Sequence, residues 1–203
     1  MWPAVMEDVP MSEDVHRMTE VWRRLDALGA TITPVPPQRV RQLIDELTSL
    51  VGPMPDDYLE VLERYGGDIE LDDDDVEFVA AMPSAWAVGG ADGIERMHGL
   101  TSSYGRSVFE AVAAYEGRIP PGWLPIGDAA GGNQLCLRTA RGARGREVDD
   151  IGAIGFWDHE AERAVDAGGR ARGLTPVATS FRAFVDLLRV AGRDGMGAPE
   201  PRD

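Results

Sequence analysis

The chain has no lysine. All 20 of its basic residues are arginine, and 35 aspartates and glutamates outweigh them to give a formal net charge of -15. With many alanines and glycines beside it, the arginine usage fits a GC-rich coding bias rather than a function. The acidic balance argues against nucleic acid as the main ligand, because phosphate binding needs a cationic footprint. It argues equally against docking on an anionic membrane. A single cysteine, Cys136, excludes an internal disulfide framework and a cysteine-rich zinc site, and fits a reducing compartment. No apolar run approaches the roughly 18 residues that a spanning helix requires. The first ten residues, M-W-P-A-V-M-E-D-V-P, lack the basic and apolar regions of a signal peptide. The expectation is a cytoplasmic protein.

Catalytic signatures are equally scarce. The histidines are His16, His98 and His159, with no pair spaced for H-E-x-x-H. There is no G-x-G-x-x-G, no lysine for a P-loop, no G-x-S-x-G and no H-x-E with P-C-x-x-C. V-G-G-A-D-G, from Val88, reads as a turn. The aspartates Asp72, Asp73, Asp74 and Asp75 lack the alternating pattern of a calcium loop, and suit a solvated loop, a guarded sheet edge or a surface for a basic partner. The arginines Arg138, Arg141, Arg144 and Arg146 lie in a Gly/Arg-rich loop over 138–150 without aromatics for base stacking. Asp158, His159 and Glu160 are the remaining acid–base or metal candidates. On a continuing strand His159 would oppose the two carboxylates, and a polar strand end bonded to a turn accounts for all three. No metal, cofactor or catalytic residue is assigned.

What is present is amphipathic pattern. A hydrophobic content of 43% supports a real core. Val15, Met18, Trp22 and Leu25 form one helical stripe, with Ser12 as N-cap and Gly29 as stop. A linker, T-I-T-P-V-P-P, follows. Pro36 and Pro37 open a second helix through Val40, Leu43, Ile44 and Leu47, ended by Gly52. Pro55 opens a third, with Asp56 and Asp57 in its first turn, Tyr58, Val61, Leu62 and Tyr65 on one face, and Gly66-Gly67 as terminator. Ile69 to Trp86 reads as one or two strands around the aspartates, with Val76, Phe78 and Ala80 on one face. Ile94 to Leu100 is ambiguous. Ser107 to Tyr115 reads as a helix. Trp123–Gly127 and Leu135–Leu137 read as a hairpin around Gly131-Gly132-Asn133. Ile151–Trp157 is an apolar strand with a short partner at Ala164–Asp166. A last helix is capped by Thr179 or Ser180, carries Phe181, Phe184, Val185 and Leu188, and ends at Gly192. Residues 193–203 read as a flexible tail.

Four blocks in order resemble the SUKH superfamily, the fold of many bacterial immunity proteins and of a fungal cell-wall-assembly regulator. They are Pro55, Asp56, Tyr58, Leu62, Tyr65, Gly66 and Gly67; then Leu124, Pro125, Ile126, Gly131, Gly132, Asn133 and Leu137; then Trp157, Asp158, His159 and Glu160; then Ser180, Phe181 and Phe184. The stretch from Gly67 to Pro120 carries no match. The resemblance implies one α+β domain, a twisted, mostly antiparallel sheet flanked by helices. It divides the chain into an N-terminal extension with one helix over 1–36, a SUKH-like domain over 37–192 and the tail over 193–203. It also implies a non-enzymatic role, binding and neutralising a cognate polymorphic toxin. Such toxins are often nucleases or deaminases, hence basic, and an acidic inhibitor would complement them. The matched aromatics and glycines serve core and turns. The expected contact surface is therefore acidic: Asp72, Asp73, Asp74, Asp75, Glu77, Asp128, Asp158 and Glu160. Two other readings stay open: a regulatory or scaffold module of the same fold without a toxin partner, and a metal-dependent hydrolase using Asp128, Asp158 and His159.

Overall fold

The structure, a computed structural model, describes residues 13–71, 76–81, 83–85, 87, 89–141, 150–161 and 173–191; the side chains of residues 13–19 are outside the description. In chain order the elements are α1 (Glu13–Ala27), β1 (Thr31–Pro34), α2 (Pro37–Val51), α3 (Asp56–Tyr65), β2 (Gly66–Glu70), β3 (Val76–Phe78), β4 (Asp92–Met97), α4 (Val108–Ala114), β5 (Trp123–Ala129), β6 (Asn133–Arg138), β7 (Ile154–Trp157), β8 (Leu174–Ala178), α5 (Phe181–Leu187) and β9 (Leu188–Val190). A turn of 3-10 helix, Ala130–Gly132, joins β5 to β6. The strands form one open sheet of order β1-β2-β4-β5-β6-β7-β8, with β3 paired to β4 and β9. Among the described residues every pairing between named strands is antiparallel. This is an α+β single-domain fold.

Local chemistry explains most boundaries. Pro37 opens α2, where a missing N–H costs little. Ser107 and Glu110 close a capping box on α4, and Ser180 accepts from Ala183 N at the start of α5. Asp57 lies in the first turn of α3, and its Oδ2 accepts from Arg182 N at 3.0 Å, tying α3 to α5.

The two faces of the sheet differ in kind. Residues directly opposite on antiparallel strands project to the same face. Leu135 opposes Phe156 and Leu137 opposes Ile154. These join Leu25, Leu47, Tyr58, Leu62, Phe181 and Phe184 from α1, α2, α3 and α5 in one large core. The other face bears a smaller cluster of Ile119, Cys136 and Trp157, with Tyr115, Trp123 and Leu174 packed against it.

Several expectations are corrected. The T-I-T-P stretch is not a linker but β1, paired to β2. Gly66-Gly67 does more than stop α3. It turns the chain directly into β2, Gly66 with φ 70°, and a Cβ on Gly67 would stand 2.0 Å from Thr33 O. The last helix ends at Leu187 rather than Gly192. Leu188 turns extended and Leu188–Val190 pairs with β3, because strand pairing and the Glu77–Arg189 ion pair outweigh a helical pattern that has no stop signal there. Leu188 remains buried, as its place in the pattern required. The strand read from Ile151 begins at Ile154, and the ambiguous stretch from Ile94 to Leu100 is strand only as far as Met97, the end of β4. The outer partner of β7 is β8, a short strand that the sequence pattern does not show. Pro176 argues against a central strand but is tolerated in this edge position. The proposed pairing segment 164–166, the tail over 193–203, Ser12 and most of the arginine loop lie outside the described residues.

Candidate partner-binding site

Four of the eight expected contact acids are described. Asp128 stands near the end of β5, opposite Arg96 on β4 and Gln134 on β6. Gln134 in turn opposes Trp157 on β7, and Arg96 opposes Glu70 on β2. Glu70, Arg96, Asp128, Gln134 and Trp157 thus form one row across the second face. Within it, Gln134 Nε2 donates to Asp128 Oδ1 at 2.9 Å, and Arg96 Nε lies 3.5 Å from Asp128 Oδ2. His98 Nε2 is 3.1 Å from Gln134 Oε1 and 3.7 Å from Asp128 Oδ1. Gln134 uses its amide nitrogen as donor, so its oxygen accepts from His98, which fixes the imidazole with its proton on Nε2. Burial holds His98 below the ordinary histidine value, and Asp128, Gln134 and Asp68 oppose that shift without overcoming it.

The strand of Trp157 ends before Asp158. Asp158 Oδ1 accepts from Glu160 N at 2.9 Å, and Asn133 Oδ1 faces both His159 N at 3.1 Å and His159 Nδ1 at 2.8 Å. The W-D-H-E block is therefore a strand end bonded into a turn. Asn133 adjoins Gln134, so Asp128, Asp158 and Glu160 gather at one end of the sheet, where β5 ends, β6 begins and β7 ends. Glu160 is exposed there; Asp128 and Asp158 are half-buried.

Glu77 lies apart on β3, and Arg189 of β9 holds it at 2.7 Å. Asp72, Asp73, Asp74 and Asp75 lie outside the described residues. Their flanks are informative. Glu70 pairs with Arg96 and Glu77 with Gly93, so the step from Glu70 to Glu77 answers a much shorter step along β4.

Among the described residues no three His, Cys, Asp or Glu side chains are grouped so as to hold a metal ion. Asp128 and His159 are instead bonded to Gln134 and Asn133. Burial pushes the Cys136 thiol up, away from nucleophilic use. A concavity of about 730 Å3 runs along α4 between Leu50, Phe109, Val112, Pro120, Trp123 and Arg141, away from the acids.

Sequence reasoning missed Arg96, His98 and Gln134. The signal was the alternation in I-E-R-M-H. Once Ile94 and Met97 are seated in the core as a strand, with the register shift between Ile94 and Arg96, Arg96 and His98 fall to the second face.

Among the described residues no helix is long and apolar enough to cross a membrane. The sequence is similar to known proteins. An uncharacterized SPbeta prophage-derived protein of Bacillus subtilis (strain 168), YokK, is 27% identical over 180 residues, covering 84% of this chain and 85% of its own length. The model of the SMI1 / KNR4 family (SUKH-1) matches residues 42–187, spanning α2 through α5. The chain belongs to the SMI1/KNR4 (SUKH-1) family.

Proposed function

We propose that this protein acts by binding rather than catalysis, as an immunity protein that neutralises a cognate toxin in the cell that makes it. The observation that carries the reading is membership of the SUKH-1 family, which the resemblance to immunity proteins links to toxin neutralisation. The net charge of -15 supports a basic partner, a nuclease or deaminase domain among them, whose approach an acidic surface accelerates. The contact surface is the sheet end bearing Asp158 and Glu160, with Asp128 behind it. Asp72, Asp73, Asp74, Asp75 and Glu77 are further proposed contacts for a basic partner, on the charge of the sequence. No cofactor enters this reading.

A second reading is a regulatory or scaffold module of the same fold without a toxin. It is favoured by the internal pairing of Glu77 with Arg189 and of Asp128 with Arg96 and Gln134, which turns two candidate acids to structural use.

Co-expression with the product of the adjacent upstream gene distinguishes the two. A stable complex that restores growth is the expected result. A neighbour that is not toxic, or a toxic one that neither binds nor is neutralised, overturns the immunity reading and leaves the module.

A further inference from the structure

Behind the polar row lies a small cavity of about 10 Å3, walled by Tyr58, Tyr65, Gly66, Met97, His98 and Phe181. That volume sits at the lower bound of the roughly 10–15 Å3 that one water needs. The residues around it carry unmatched polar atoms: Tyr58 Oη, Tyr65 Oη and His98 Nδ1 are buried without a hydrogen-bond partner among the described residues. Tyr65 has the Arg64 side chain beside it. The other two have no such substitute. Tyr58 is 3% exposed and His98 is 2% exposed, so bulk solvent does not serve them.

Their chemistries are complementary. The chain from Asp128 through Gln134 puts the His98 proton on Nε2, which leaves Nδ1 a bare acceptor. A phenol can donate or accept. One water can accept from a phenol and donate to an imidazole nitrogen at the same time.

We propose that a single internal water occupies this cavity, accepting from the Tyr58 hydroxyl and donating to His98 Nδ1. It extends the polar row through the sheet to α3, so that Asp128 at the candidate binding end and Tyr58 in the core belong to one hydrogen-bonded chain. The proposal stands independently of any partner.

The test is a crystal structure of the full chain that orders internal waters, combined with urea unfolding of Tyr58→Phe. The expected results are a density peak within hydrogen-bonding distance of both Tyr58 Oη and His98 Nδ1, and an unfolding equilibrium constant raised roughly 2- to 10-fold by loss of the hydroxyl. An empty cavity overturns the proposal. So does a Phe variant as stable as the parent or more so, because deleting a truly unpaired buried hydroxyl relieves its desolvation cost. The substitution keeps the ring that meets Phe181 at a tilt, with centroids 5.2 Å apart, so the fold is retained in either case.

Discussion

The two faces of the sheet are built on different principles. On one, leucines, isoleucines and phenylalanines from seven strands meet residues of all five helices in a continuous apolar core. On the other, a row from Glu70 to Trp157 places opposite charges and an amide side by side, with only a small aromatic cluster beyond it. The apolar face draws its stability from area and close packing, which are not directional. The polar face depends on each donor meeting its acceptor, and it adds specificity of register more than bulk stability. Side chains on the first face tolerate changes of shape within limits of volume. Those on the second tolerate changes of volume better than a missing partner.

The comparison is broken most severely from the apolar side. Phe184 is fully buried, meets Phe78 edge-on at 5.6 Å and bridges α5 to β3. Phe184→Ala should cost about 3–5 kcal/mol through lost transfer energy and the cavity left behind. The check is the urea midpoint with an unchanged denaturant slope. On the polar face, Asp128→Asn keeps the shape and the Gln134 contact but removes the charge that Arg96 and His98 face. The expected cost is smaller, about 1.5–3 kcal/mol, the range for hydrogen bonds to a charged group. A loss equal to that of Phe184→Ala would mean the row is as central to folding as the core, and would dissolve the contrast.

A third way to sharpen it is pH. His98 is held below its ordinary value by burial, while Asp128, Gln134 and Asp68 pull it up and Arg106 pulls it down. Between its folded value and about 6.5 the unfolded chain binds more protons than the native one, so stability rises with pH across that window. Acidification below about 6.5 should therefore weaken the fold, by at most about 1.4 kcal/mol per pH unit for one proton. Above that pH the imidazole is neutral in both states and contributes no slope. His98→Gln should flatten the difference between urea midpoints at neutral pH and in mild acid, whereas Phe184→Ala should leave the difference intact.

The apolar face was the more legible of the two in the sequence. Helical stripes such as Tyr58, Val61, Leu62 and Tyr65 state their own period, and all four are buried. Of the two caps expected for the last helix, Ser180 acts where it stands. The hairpin at Gly131-Gly132 was legible for the same reason: both glycines have positive φ, which few other residues adopt. The polar face was not legible, because it is made of cross-strand neighbours distant in sequence. Nothing local says that Arg96 will meet Asp128, or that Gln134 will choose Asp128 over solvent. Strands β1, β8 and β9 were missed for a related reason. Each is short and gains its hydrogen bonds only from a partner elsewhere in the chain. Of the candidate site, Asp158 and Glu160 were correctly read as a strand end bonded to a turn, whereas the engagement of Glu77 by Arg189 required the β3–β9 pairing to be known.

The smallest effect on folding is expected where the polar face opens to solvent. Glu160 is exposed, so Glu160→Lys should change stability by no more than about 0.5 kcal/mol. Its effect should appear in association instead. If a basic partner docks on this end of the sheet, reversing one rim charge slows the encounter a few-fold at low salt. That is a fraction of the roughly 10- to 1000-fold that a whole charged surface can supply. The loss should shrink as added salt screens it, because rim charges act mainly on the on-rate. Stopped-flow association of the variant with the neighbouring gene product, across a salt series, reads this directly. A loss that persists at high salt and resides in the off-rate would place Glu160 inside the contact rather than at its rim. No change at any salt would move the contact away from this end of the sheet, and would leave the row from Glu70 to Trp157 as architecture alone.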